Sequence, residues 1–181
     1  MFRRAGASVV TLPGGEIFAA LRAGTIDAAE FIGPWNDAAL GFHQVAKNYY
    51  YPGVQEPSSA EEIGVNKAKF DALPADLKQV IQFAAQSSYV ESLVEYDQKH
   101  PAAVAELVSK HGVTVREAPR DLLVAFGNAA GEVLAEIRGD SDALVKKIAE
   151  SYVAFRNIQA EYTTQAYNGV MNARRLPIKW G

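Results

Sequence analysis

The pattern of apolar and polar positions divides the chain into a first third that alternates strand and helix and a remainder that is almost wholly helical. Residues 7–12 (ASVVTL) form a short β-branched apolar run, which predicts a buried strand. Pro13-Gly14-Gly15 interrupts it, and residues 16–23 read as a helix with Glu16 in its first turn and Gly24 as its stop. Residues 28–32 (AAEFI) are a second apolar strand, closed by Gly33-Pro34. Strand, helix and strand in that order predict a βαβ unit, and with it a parallel sheet covered on both faces. A short helical stretch follows Trp35-Asn36-Asp37 as far as Phe42. Residues 48–51 then form an aromatic strand ended by Pro52-Gly53, and residues 63–66 a further short strand.

Pro74-Ala75-Asp76 opens a helix whose expected buried stripe is Leu77, Val80, Ile81 and Ala84. It runs towards His100, where Pro101 kinks it or restarts it. Residues 113–115 form a short strand after Gly112, and residues 120–138 a helix that ends at Gly139. From residue 142 to about 173, apolar residues recur as Leu144, Ile148, Tyr152, Phe155, Ile158, Tyr162, Ala166 and Val170. One helix of roughly 30 residues would be about 45 Å long and the longest element of the chain. Such a helix braces two lobes or packs against another subunit.

Composition narrows the classes of function. The 181 residues are 49% hydrophobic and 22% charged, ordinary for a globular chain with a core of its own. A net charge of -3 gives no basic face for nucleic acid. With no cysteine there is no thiol nucleophile, no Cys-ligated zinc and no iron–sulfur cluster. No apolar run is long enough to span a bilayer, and no apolar leader segment follows Met1. His43, His100 and His111 lack metal-ligand spacing and read as surface residues or helix-end caps. No Gly-x-Ser-x-Gly elbow is present, nor a carboxylate pair placed for glycoside hydrolysis, so the expectation is a protein that is not an enzyme.

Glu30 is the most informative single residue. It sits in an apolar run beside the turn that ends it, where an unpaired buried carboxylate is costly. One reading makes it an oxygen ligand for a hard cation, or a partner for a polar substrate, at the carboxyl end of a strand. The other places it on a solvated edge-strand face. The turn 12–16 (LPGGE) lacks phosphate-loop spacing and reads as a tight strand-to-helix connection. Glu56 is a lone acid in a loop, and by itself carries no assignment.

Several of these runs together resemble the TRAP transporter solute-binding family. They are Leu12-Pro13-Gly14-Gly15-Glu16-Ile17-Phe18, then Gly24-Thr25-Ile26-Asp27-Ala28, then Glu30-Phe31-Ile32-Gly33-Pro34. The match continues through Asp37, Leu40-Gly41-Phe42, Ala46-Lys47 and Tyr49-Tyr50-Tyr51-Pro52-Gly53, and resembles most the branch that binds α-keto acids. The resemblance is specific over the first third and covers nearly the whole chain as a carboxyl-terminal half. It implies an α/β, two-lobed periplasmic-binding-protein fold (type II-like), helix-rich and with a long carboxyl-terminal helix.

On this resemblance, residues 1–45 belong to the second α/β lobe. Residues 46–140 form a crossover and helical part contributing to the first lobe. Residues 141–181 are the long helix and tail, bracing the lobes or a dimer. The ligand is a small organic carboxylate such as a 2-oxo or 2-hydroxy acid, bridged by a sodium or calcium ion. Glu30 looks like a side-chain ligand of that cation, Phe31 like a main-chain carbonyl ligand, and Glu56 like a second carboxylate ligand. The implied partners are TRAP membrane permease subunits and a homodimer, in the periplasm, with the signal peptide and first lobe expected upstream. Phe31 departs from the tryptophan common in the family, which makes the wall of the cleft smaller. The family's carboxylate-clamping arginine lies upstream, and Arg3 and Arg4 do not match it. The competing expectation is a non-binding interaction or dimerisation fragment.

Overall fold

A computed structural model describes residues 1–177. They form two compact units, one of residues 9–123 and the other joining residues 1–8 to the chain from residue 124 onward.

In the first unit, α1 (Gly14–Ala23) carries Glu16 in its first turn and Arg22 in its last, each suited to the helix dipole. Gly24 closes it in the left-handed region (φ 68°), returning its N–H to the carbonyls of Ala20 and Leu21. Helix α2 (Pro34–Ala39) starts on a proline whose missing N–H has no role in a first turn. A 3-10 turn (Phe42–Gln44) leads to β1 (Asn48–Tyr51). Helix α3 (Lys67–Asp71) is capped by Asn66, whose side chain accepts the Lys69 N–H at 3.1 Å. Helix α4 (Ala75–His111) ends at Gly112, again left-handed, and β2 (Thr114–Glu117) follows.

β1 and β2 pair in parallel, with Asn48 opposite Thr114 and Tyr51 opposite Glu117. The ladder extends by Thr114 N–H to Lys47 O (2.8 Å) and Ala118 N–H to Tyr51 O (2.7 Å). Arg116 Nε clamps the register by donating to Asn48 Oδ1 at 2.7 Å. The parallel pair of the described residues is thus β1 with β2, joined through α3 and α4, and not the βαβ unit expected over residues 7–32. The core of this unit is Ile17, Phe42, Ala103, Leu107 and Val113, so α4 is covered along its second half.

Several sequence expectations are corrected by the structure. Residues 7–12 and 28–32 are not strands: no described residue ladders with either, and Val10 and Ile32 are exposed. A β-branched run records the wish for a covered face, but only a hydrogen-bonding neighbour makes it a strand. Residues 63–66 are also irregular, and Ile63 and Val65, both exposed, line an open groove with Ile81 and Ala85 of α4. Leu77, Val80 and Ala84 are exposed, and only Ile81 of that stripe is half-buried. Pro101 neither breaks nor restarts α4, which makes this helix of 37 residues the longest described element.

The second unit holds most of α5 (Arg120–Arg138), then α6 (Ala143–Gln165) and α7 (Tyr167–Ala173). The ring of Phe2 packs edge-on to Phe126 at 4.9 Å, and Arg4 bridges Glu132 and Glu136 of α5. Arg4 is thereby committed to holding the amino-terminal turn on α5. Asp142 Oδ1 caps α6 by accepting the N–H of Leu144 at 2.7 Å. The single last helix expected from sequence is interrupted at Ala166. Just before it, the hydroxyls of Thr163 and Thr164 donate to the carbonyls of Gln159 and Ala160, both at 2.7 Å, a back-bonding that bends helices. Leu144, Ile148, Tyr152, Phe155, Ile158 and Tyr162 form one stripe along α6, each 56–69% exposed. The tail 178–181, expected with this helix, lies outside the described residues.

Candidate functional site

Glu30 lies in the connection between α1 and α2, four residues before the first residue of α2. Its carboxyl is exposed on one side, yet hemmed in enough that desolvation raises it above the usual carboxylate range. The Glu56 carboxylate raises it further and Asp37 adds a smaller push, while the Gln55 side chain opposes them with a hydrogen bond. Glu30 and Glu56, 26 positions apart in sequence, are thus brought into one electrostatic neighbourhood. Glu56 is exposed and accepts from Ser59 Oγ at 3.4 Å.

Phe31 is half-buried, its ring against Gly14 at the start of α1 and edge-on to Phe42 at 5.8 Å. Its side chain is therefore occupied in packing. Its carbonyl accepts no hydrogen bond among the described residues, which leaves that oxygen available as a donor atom.

Behind these residues stands a contact that sequence reasoning missed. Asp37 in α2 is buried at 9% exposure, and Tyr49 of β1 donates its hydroxyl to Asp37 Oδ2 at 2.6 Å. Burial pushes the Asp37 carboxyl up, opposed by Tyr49 and by the nearby Gly33 and Ile32 amides. Burial, together with the Asp37 contact, pushes the Tyr49 phenol far above its ordinary range. Asp37 Oδ1 is sealed from solvent and has no hydrogen-bond partner of good geometry among the described residues.

The family profile described as bacterial extracellular solute-binding protein, family 7 (DctP) matches residues 1–140. The chain belongs to this family. A DctP-type relative, the monocarboxylate 2-oxoacid-binding periplasmic protein of Nostoc sp. (strain PCC 7120), is 33% identical over 153 residues. That alignment takes in 84% of this chain and 42% of the relative. A TRAP transporter solute-binding protein from Bordetella bronchiseptica RB50, a dimer of mixed occupancy with calcium and picolinate, superposes at TM-score 0.82 and 30% identity over 91% of this chain. One from Pseudoalteromonas atlantica T6c, with sodium and pyruvate bound, superposes at TM-score 0.81 and 29% identity over 92% of this chain. The chain spans 48% and 50% of those two structures, about half of each. Its fold is that of these α/β binding proteins.

In this DctP family member, the candidate site gathers two carboxylates, Glu30 and Glu56, and oxygen donors of that kind suit a hard cation. None of the described ion pairs involves Glu30, Glu56 or Asp37, so the negative charge gathered here is not offset by a lysine or arginine among them. No group of three His, Cys, Asp or Glu among the described residues forms a metal cage. No helix among the described residues is long and apolar enough to cross a membrane. Of the sequence candidates, Glu30 and Glu56 share one electrostatic neighbourhood, and Phe31 is the chain neighbour of Glu30 with its ring turned to Gly14 and Phe42. The histidines turn out to be internal contacts: His43 stacks on His111 at 4.0 Å, and His100 packs on Trp35 and Tyr96.

Proposed function

We infer that this chain is the cation-bearing half of a periplasmic TRAP receptor that captures a small 2-oxo or 2-hydroxy carboxylate for delivery to membrane permease subunits. The observation that carries this reading is the electrostatic coupling of Glu30 to Glu56, two carboxylates 26 positions apart in sequence. Glu30 and Glu56 supply carboxylate oxygens, Phe31 supplies its carbonyl, and a sodium or calcium ion so held presents positive charge to the ligand's carboxylate. The bound carboxylates and cations of the Bordetella and Pseudoalteromonas proteins support the same chemistry. Residues 1–45 would then belong to the second lobe, 46–140 to the crossover and first lobe, and 141–181 to the brace. Binding, with no bond made or broken, is the whole of the task proposed.

The test is an NMR titration of the labelled chain with calcium chloride. Saturable shifts at the amides of Glu30, Phe31 and Glu56, lost in Glu30→Gln, are expected. Their absence at high calcium would overturn the cation site.

A second reading rests on the exposed stripe of α6. It makes the helical part a dimerisation element, and self-association insensitive to calcium and carboxylate would favour it.

A further inference from the structure

The segment from Glu30 to Gly33 is held at both ends by an aromatic ring lying on a glycine. At one end the ring of Phe31 covers Gly14. A Cβ on Gly14 would lie 2.8 Å from Phe31 Cε2 and 2.9 Å from Cζ, closer than such atoms approach. The ring has little room to retreat, because buried Phe42 meets it edge-on at 5.8 Å. At the other end, a Cβ on Gly33 would lie 2.6 Å from Cε1 of His100. That imidazole reaches across from α4 and accepts the Trp35 N–H on Nδ1 at 3.3 Å. Tyr96 backs it at 5.0 Å and also packs edge-on to Trp35 at 5.5 Å. Lys99 Nζ stands 4.8 Å from the Trp35 ring, and Asn36 Nδ2 donates to Tyr96 Oη at 3.4 Å.

We propose that Gly14 and His100 are positioning residues for the Glu30–Phe31 pair, each acting through a ring seated on a glycine. The proposal rests on the cation reading given above and adds two residues that touch neither ion nor ligand. A main chain with few regular hydrogen bonds has no intrinsic reason to hold a carboxylate and a carbonyl in one geometry. Outer contacts of this kind orient the donor atoms, and their loss typically weakens metal binding about 10-fold or more. The Phe31 ring sets the segment from the side of α1, and the imidazole sets it from the side of α4. An added methyl at 14 forces the ring off its seat, and the main chain of Phe31 must follow or the ring must leave.

The experiment compares calcium titrations, followed at the Glu30, Phe31 and Glu56 amides, for wild type, Gly14→Ala, Gly14→Ala with Phe31→Leu, His100→Leu and His100→Asn. Gly14→Ala and His100→Leu should each weaken calcium binding about 10-fold. The smaller leucine side chain should restore much of the loss in the double variant. His100→Asn keeps an acceptor for the Trp35 N–H but takes the ring off Gly33, so it should weaken binding as His100→Leu does, and wild-type affinity in it overturns the role given to the ring. Melting temperatures of all five proteins separate this from loss of fold, since a purely structural role predicts that affinity and stability fall together without rescue. Unchanged affinity in Gly14→Ala, or no recovery in the double variant, overturns the proposal. Should wild type itself show no calcium shifts, the cation reading falls and the seats are judged without it. Loss of the Phe31-ring to Gly14-Hα Overhauser effect and of order at the Glu30 amide in Gly14→Ala and His100→Leu supports them, and persistence of both overturns them.

Discussion

The hydroxyl of Tyr49 donates to the buried carboxyl of Asp37 at 2.6 Å, and in doing so fastens β1 to the helix that follows the candidate ligand segment. Tyr49→Phe removes this side-chain donor and strands the carboxyl in a desolvated place. A loss of about 1–3 kcal/mol in unfolding free energy is expected. Denaturant titration of the two proteins measures it, and equal midpoints would show that the bond contributes nothing net.

The same contact gives a pH dependence whose sign is fixed. Burial raises the folded-state carboxyl of Asp37 above its unfolded value, so its contribution is fully present in acid. It is lost as pH climbs from the ordinary aspartate range through the raised value. Asp37→Asn cannot ionise, so its stability relative to wild type should improve with rising pH across that window. Melting curves in a series of acidic to neutral buffers test this, and a gap that stays constant with pH would refute it.

Glu30 predicts the behaviour of the ion. Partial desolvation and the Glu56 charge raise its carboxyl, and a cation competes with the proton for the same oxygens. Calcium affinity should therefore decline, on acidification, at a higher pH than an ordinary glutamate would give. Glu56→Gln removes part of the push and should move that decline to lower pH while weakening binding. Calcium titrations at several pH values decide it. A decline unmoved by Glu56→Gln would break the link between the two residues.

Pyruvate binding to the 181-residue chain alone should be weak or absent, since the chain spans only about half of the structures it matches. Calorimetry checks this directly. Micromolar affinity for the isolated chain would show that the described half is sufficient.

The stripe on α6 predicts association. Six large apolar side chains on one helix face, all mostly exposed, make a surface that soluble monomers rarely leave uncovered. Sedimentation should show self-association that Phe155→Glu reduces. A monomer that binds no more hydrophobic dye than its Phe155→Glu variant would count against any role for this face.

The sequence was most legible where a local rule carries the whole instruction. Gly24 and Gly112 stop α1 and α4 in the left-handed conformation, the expected helix over 120–138 is α5, and the aromatic run 48–51 is β1. It misled where the outcome depends on a partner. Residues 7–12 and 28–32 have strand composition but no ladder, and the apolar stripe from Leu77 to Ala84 has little cover among the described residues. Pro101 sits in a helix held by contacts on both sides of it, with Ala103 and Leu107 buried beyond, so packing outweighs one lost hydrogen bond. Of the candidate site, Glu30 stood out as a carboxylate in an apolar run, and Glu56 was marked only through the family resemblance. Asp37, Tyr49, Gly14 and His100 were not marked for their roles, because nothing local says that a ring 67 positions beyond Gly33 will lie upon it.

β1 and β2 are adjacent in space, yet all of α3 and α4 is threaded between them. During synthesis β1 leaves the ribosome with its ladder unpaired, and it waits through the whole of α4 before its partner exists. Closure of so long an excursion carries an entropic toll that helix formation inside it must first reduce. Early stiffening of α4 should therefore speed the pairing of β1 with β2, whereas the Tyr49–Asp37 bond, between residues only 12 positions apart, needs no such closure.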